Sequence, residues 1–186
     1  NQAVFFLKGK PLNTCGLNKD VLYKNEEFFN LIKTLDIEET LDHLRYSRII
    51  FATDADVDGL HIRMLLTTFF MRFYRQLITD GRVFILETPL FRVRNKKEQY
   101  YCFSEKERDD AQKKCGKGCE TTRFKGLGGL NAKECKDVSG PDMRLTPVTC
   151  ADDVDGEKTI KFYMGANTPE RKDYIMDSLV CDSSEF

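Results

Sequence analysis

The chain has no apolar run long enough to span a bilayer and no signal-peptide pattern at its start. A membrane-embedded or exported protein is therefore not expected, and the reading is cytoplasmic. Tryptophan is absent and histidine occurs only as His43 and His61. The formal net charge is −1, so no global basic excess marks a nucleic-acid binder and any such role must rest on local patches. The seven cysteines are odd in number: Cys15, Cys102, Cys115, Cys119, Cys135, Cys150 and Cys181. Without an export signal they read as reduced thiols. Cys115 and Cys119 are the only close pair, and no second pair or nearby histidine completes a zinc set. An initiator methionine is also missing, and the chain opens almost inside a strand, which predicts a fragment of a longer protein.

What is present is a globular pattern of alternating strands and helices. A strand is expected at 4–7, then a turn with Lys8, Gly9, Lys10, Pro11 and Asn13. Helices are expected at 26–35 and 38–44, with His43 a surface residue. A buried strand follows at 49–52 and a long helix at 60–78, with Leu66, Phe69, Phe70, Phe73 and Leu77 facing the core. A strand at 83–86 and a hairpin over 90–103 come next. Ser104 with Glu107 predicts a capped helix over 105–114, followed by a Gly- and Lys-rich loop at 115–121. Asn131 with Glu134 predicts another capped helix. A strand at 143–149, an acidic turn at 152–156 opening a helix to 164, and a helix over 168–179 with Thr168 and Pro169 at its start complete the reading.

Two stretches carry chemistry. In the first, the strand at 49–52 runs into Asp54, Asp56 and Asp58, then Gly59. Open α/β sheets place ligands at the carboxyl ends of strands. One aspartate would suffice to cap a helix, but three in alternation repel one another and invite a divalent cation such as Mg²⁺. An EF-hand loop counted from Asp54 would need a glutamate at its twelfth position, and Leu65 stands there. An aspartyl-phosphatase site fits poorly with Asp58. A Mg²⁺ cluster acting on a nucleic-acid phosphodiester is the third reading. Arg63, near the start of the following helix, suits either a phosphate contact or an ion pair with a neighbouring aspartate. In the second stretch, Arg123 and Lys125 precede Gly126-Leu127-Gly128-Gly129. Cations beside a close-approach turn suit phosphate, although no Walker A spacing follows.

Taken in order, Lys8-Gly9-Lys10-Pro11-Leu12-Asn13, Leu44-Arg45-Tyr46, Thr53-Asp54-Ala55-Asp56-Val57-Asp58-Gly59-Leu60-His61-Ile62-Arg63, Pro89-Leu90-Phe91 and Arg123-Phe124-Lys125-Gly126-Leu127-Gly128 resemble the C-terminal half of the B subunits of bacterial type IIA topoisomerases, gyrase and topoisomerase IV. The resemblance covers nearly the whole chain. It implies an α/β, Rossmann-like TOPRIM fold with a central parallel sheet flanked by helices, over residues 1–103. A mostly helical C-terminal tail would follow over 104–180, and a polar end over 181–186.

The resemblance further implies that Asp54, Asp56 and Asp58 are the catalytic, Mg²⁺-binding carboxylates. Lys8, Lys10, Asn13, His61, Arg63, Arg123, Lys125 and Gly126 would form the DNA-facing surround. Double-stranded DNA and a tyrosine-bearing A subunit would be the partners, in an A2B2 assembly, with ATP bound only in a region upstream of this chain. A family glutamate expected upstream of residue 1 is absent, and Gly129 stands where the family commonly has glutamate. The isolated chain is expected to be inactive. A stand-alone TOPRIM-type nuclease or primase is the alternative.

Overall fold

A computed structural model describes residues 2–116, 118–150 and 155–179. The first core is built around aromatic rings. Helix α2 (Glu26–Leu35) buries Phe28, Leu31, Ile32 and Leu35, and the side chain of Asn25 caps it by accepting from the Phe28 N–H at 3.1 Å. The preceding short helix α1 (Lys19–Lys24) adds Leu22. Phe28 stacks on Phe69 with ring centroids 4.5 Å apart, and Phe69 meets Phe70 edge-on at 5.0 Å. Phe69 and Phe70 project from helix α3 (Val57–Phe73), where they stand fully buried. Each such ring removes a large apolar area from water, so this cluster supplies much of the drive to fold.

The long helix is expected over 60–78 but starts earlier and breaks once. Asp56 caps it, so the first turn includes Asp58 and Gly59. Tyr74 leaves helical dihedrals at φ −141° and ψ 43°, and its ring stands 5.4 Å from that of Phe69. Helix α4 (Arg75–Thr79) then carries Leu77 and Ile78 into the same core.

Strand β1 (Ile49–Phe51) lies parallel to β2 (Val83–Leu86), with Ile49 opposite Val83, and α3 and α4 form the crossover between them. Strand β6 (Leu145–Pro147) pairs antiparallel on the other side of β2. The first sheet thus runs β1-β2-β6. A second sheet, β4-β3-β5, is antiparallel throughout. It joins the hairpin β3 (Phe91–Arg94) and β4 (Gln99–Cys102) to β5 (Glu120–Arg123). Helix α5 (Glu105–Cys115) packs Ala111 and Cys115 onto Phe91, Val93 and Cys102. Residues beyond 104 therefore contribute strands to both sheets as well as helices.

Several expectations give way. Residues 4–7 form no strand: Phe5 and Leu7 pack on the core while Val4 and Phe6 face out, and no described strand pairs with them. Residues 38–44 are turns and bends, although Leu41 and Leu44 still anchor to the core. The expected loop at 115–121 contains the start of β5. Asn167, not Thr168, is the N-cap of α8 (Thr168–Asp177), and Pro169 sits one position further in. Asp155 caps α7 (Gly156–Met164) by accepting from the Lys158 N–H. Residues 152–154 of the acidic turn and the polar end at 181–186 lie outside the described residues.

The capped helices form where expected. Ser104 Oγ accepts from the Glu107 N–H, and Glu107 reaches back to the N–H of Phe103 rather than of Ser104. Asn131 and Glu134 make the reciprocal box at the start of α6 (Ala132–Val138). Glu134 is buried and also ion-pairs with Arg92 of β3, fastening α6 to the second sheet. Arg92 further donates to Thr122 Oγ1 at 3.2 Å and lies over the Phe124 ring.

The N–H of Asn131, and after it the Arg92 guanidinium, hold the Glu134 carboxyl below the usual carboxylate range. A depressed native value means stability present above the ordinary range and lost as pH falls through the native one. Glu134→Gln is expected to cost about 3 kcal/mol, because the Arg92 charge is left buried. It should also flatten the acid limb of the stability profile. Urea unfolding from about pH 3 to about pH 7, across the carboxylate range, measures both. A cost within the error of the transition would refute the pairing.

Candidate functional site

The parallel pair β1 and β2 brings two strand carboxyl ends to one edge of the first sheet. The chain leaves β1 there through Ala52 and buried Thr53 into Asp54, and soon turns into α3. So tight a turn needs glycine at its inner corner. A Cβ on Gly59 would stand 1.9 Å from the Asp54 carbonyl oxygen. Arg63, one turn further, braces the same corner. Its Nε donates to Thr53 Oγ1 at 2.6 Å, and its Nη2 reaches the carbonyls of Thr53 and Asp54 at 3.4 Å. Among the described residues Arg63 therefore pairs with no carboxylate. Its hydrogen bonds fix the backbone that presents Asp54.

Each of the three aspartates has one oxygen engaged by a different donor. Asp54 Oδ1 accepts the backbone N–H of Leu127 at 2.7 Å, across 73 residues of sequence. Asp56 Oδ1 accepts the N–H of Gly59 at 2.7 Å as the cap of α3. Asp58 Oδ1 meets the Lys10 ammonium at 2.7 Å. That hydrogen bond first, then the Lys10 charge and a smaller effect of His61, hold the Asp58 carboxyl below its ordinary value. The Oδ2 atoms of all three receive no hydrogen bond from the described residues.

Gly126 lies against Asp54. Its φ of 176° is ordinary extended backbone, so space rather than conformation demands glycine. A Cβ there would fall 2.5 Å from Asp54 Oδ2. The Leu127–Gly129 turn follows directly, which is how the Leu127 amide comes to point at the carboxylate.

The cationic surround is only partly assembled. Lys10 joins the triplet directly. Lys8 instead pairs with Glu26 at 3.4 Å, and its N–H donates to Glu27 at 2.8 Å. Asn13 is engaged structurally: Oδ1 accepts from the Cys15 N–H at 3.0 Å and Nδ2 donates to the Met164 carbonyl at the end of α7 at 2.8 Å. His61, Arg123 and Lys125 are exposed, with Arg123 opposite Phe91 at the end of β5. Leu127 and Thr53 stand inside the motifs that carry the resemblance, but nothing there marks the Leu127 amide or the Thr53 hydroxyl as a contact. A backbone donor contacting a side chain 73 residues away leaves no pattern in sequence, and only the glycine beside it hints at close approach.

The donor set suits a hard cation such as Mg²⁺: three carboxylates at a strand's carboxyl end, each with an oxygen that takes no hydrogen bond from the described residues. Among the described residues no three acidic, histidine or cysteine groups converge closely enough to enclose an ion as they stand. Coordination by more than two of these carboxylates would therefore require side-chain rotation.

Known proteins share sequence and fold with this chain. The family model described as the Toprim domain matches residues 1–88. The chain is similar to the B subunit of DNA topoisomerase 4 from Borreliella burgdorferi, 49% identical over 180 residues, covering 96% of this chain and 30% of that protein. It is also similar to the B subunit of DNA gyrase from Thermotoga maritima, 37% identical, covering 94% of this chain and 28% of that protein. The chain thus spans about 30% of the length of such relatives. In fold it is similar to the DNA-binding, cleavage and re-ligation domain of Plasmodium falciparum topoisomerase II, with TM-score 0.76, 23% identity, and coverage of 94% of this chain and 25% of that one.

Gly126→Ala is expected to push Asp54 off the Leu127 amide and to raise the hydrogen exchange of that amide about ten-fold or more, equivalent to roughly 1.4 kcal/mol of lost protection. Gly128→Ala, where an added Cβ meets nothing within 4 Å, is the matched control. Equal exchange in the two variants would remove Gly126 from the site.

Proposed function

Because this chain belongs to the Toprim-bearing B subunits of bacterial type IIA DNA topoisomerases, we propose that it supplies the Mg²⁺-binding and DNA-positioning half of a double-strand cleavage and religation centre. The observation that carries this reading is the acidic loop after β1, clasped from one side by Gly126-Leu127 and from another by Lys10.

In this reading a tyrosine of an A subunit attacks a DNA phosphate, and the 3′-hydroxyl departs. Asp54 and Asp56, together with a glutamate from outside this chain, would hold Mg²⁺, and Asp56 and Asp58 would be the carboxylates available to a second ion; when bound, the metal would supply positive charge toward the leaving oxygen. The Leu127 amide holds one oxygen of Asp54, which limits the orientations of the other. Arg63 holds the backbone beneath it. Lys8, Lys10, His61, Arg123 and Lys125 contribute positive or hydrogen-bonding groups for phosphates, which position the duplex without reading its sequence. Asn13 anchors the chain just after the Lys8–Lys10 turn to the end of α7.

ATP binding belongs to other parts of the whole protein, and double-stranded DNA and the A subunit are its partners in an A2B2 assembly. The free thiols among the described cysteines suit a reducing, cytoplasmic setting. No helix among the described residues is long and apolar enough to cross a membrane. The chain by itself is expected to leave DNA topology unchanged.

The test is Mg²⁺-dependent DNA cleavage by the full-length B subunit with its A partner. Asp54→Ala and Asp56→Ala should each lower cleavage about a hundred-fold or more, roughly the 2.7 kcal/mol expected for lost electrostatic stabilisation at a reacting oxygen. Cleavage by the full-length B subunit without any A partner would favour the stand-alone nuclease reading instead.

A further inference from the structure

Lys10 stands in two roles at once: it is the ammonium that neutralises Asp58, and it belongs to the turn expected to meet phosphate. Both ends of this pair are open to solvent, with side-chain exposures of 48% for Lys10 and 72% for Asp58. The partners of Asp54 and Asp56 are backbone amides, which cannot move away without unmaking the turn or the helix start. Among the three carboxylates, only Asp58 is satisfied by a mobile charge. The segment that carries Lys10 is anchored three residues on, where Asn13 donates to the Met164 carbonyl at the end of α7.

We infer that the Lys10–Asp58 pair is an exchangeable placeholder that couples metal binding to phosphate binding. Lys10 occupies Asp58 while the site holds neither ligand. A phosphate that draws Lys10 away exposes Asp58 to a cation, and a cation that takes Asp58 releases Lys10 to a phosphate. By linkage, each ligand strengthens the other by the same factor. The inference rests on the triplet being the Mg²⁺ site, as proposed above. An exposed ion pair has a small net worth, so the coupling is expected at about two- to five-fold and not more. It is a bias toward loading the site only when DNA is present, rather than an on–off switch.

Isothermal titration of Mg²⁺ into the full-length protein, with and without a short DNA duplex, tests this. In the wild type the duplex should tighten Mg²⁺ about two- to five-fold. Lys10→Gln should bind Mg²⁺ tighter by a similar factor without duplex and gain less when duplex is added. Lys10→Arg, which keeps the pair, should behave as wild type. Removing a positive charge could strengthen cation binding without any placeholder, and Asp58→Asn separates the two. In that background Lys10→Gln should no longer change Mg²⁺ affinity, because the pair is already gone. An equal gain in both backgrounds, or no gain in either, overturns the placeholder. If Asp54→Ala and Asp56→Ala leave the wild-type Mg²⁺ isotherm unaltered, the metal site itself is wrong and the inference fails with it. If they abolish binding while Lys10→Gln has no effect, only the placeholder falls.

Discussion

The contact on which the site depends is the approach of Gly126-Leu127 to Asp54. One oxygen of that carboxylate takes the Leu127 amide at 2.7 Å, and the other lies where a side chain on residue 126 would have to stand. Neither sheet makes this contact alone. Asp54 leaves the end of β1 in the first sheet, and Leu127 follows the end of β5 in the second. Whatever holds the two sheets in register therefore also sets the position of the carboxylate. On the second-sheet side, Phe124 donates its N–H to the Leu90 carbonyl at 2.9 Å, and Arg92 bonds both Thr122 and Glu134, which hold the base of the Leu127 turn to β3. The Arg92–Glu134 pair fastens α6 to β3, and the Leu127 turn lies in the chain between β5 and α6.

The same dependence runs beneath the acidic loop. A strand that ends and a helix that begins within a few residues leave donors and acceptors to satisfy. Arg63 takes the carbonyls, Asp56 takes the Gly59 amide, and the missing side chain of Gly59 lets the two backbones meet. A cation near a helix N-terminus is unfavourable on electrostatic grounds, which by itself points to a ligand contact for Arg63. Its carbonyl and hydroxyl partners give it a structural reason to be there.

Elements with strong local signals were legible in the sequence. The bounds of α2, the β1-α3-β2 crossover, the hairpin β3–β4 and the caps at Ser104 and Asn131 all follow from periodicity, glycine and hydroxyl or amide caps. What failed had weak or misleading local signals. β5 reads Glu120-Thr121-Thr122-Arg123, without a buried residue, and its strand state comes from pairing with β3. Residues 38–44 have helical spacing of leucines, yet Leu41 and Leu44 reach the core from turns. Phe5 and Leu7 alternate inward as a strand would, but no described strand pairs with them. The site divides the same way. The aspartates and Gly126 could be picked out by type and spacing and Lys10 only by the family resemblance, whereas the pairing of each aspartate with its donor could not. The sharing of Leu127, Gly59 and Lys10 among three neighbouring carboxylates exists only once the chain is folded.

That division of partners has an energetic order. A hydrogen bond from a backbone amide to a carboxylate is worth about 1.5–3 kcal/mol, and breaking it here would also disturb a turn or a helix start. An exposed lysine–aspartate pair is weaker and is screened by salt. The acidic loop gathers three like charges in five residues, and the fold engages them with two fixed donors and one loose one. The fixed donors set where Asp54 and Asp56 point. The loose one sets which carboxylate a competing charge can claim first. Asp58 is therefore the place where the acidic loop and the basic turn exchange partners, and Asp54 is the place where the loop is held still.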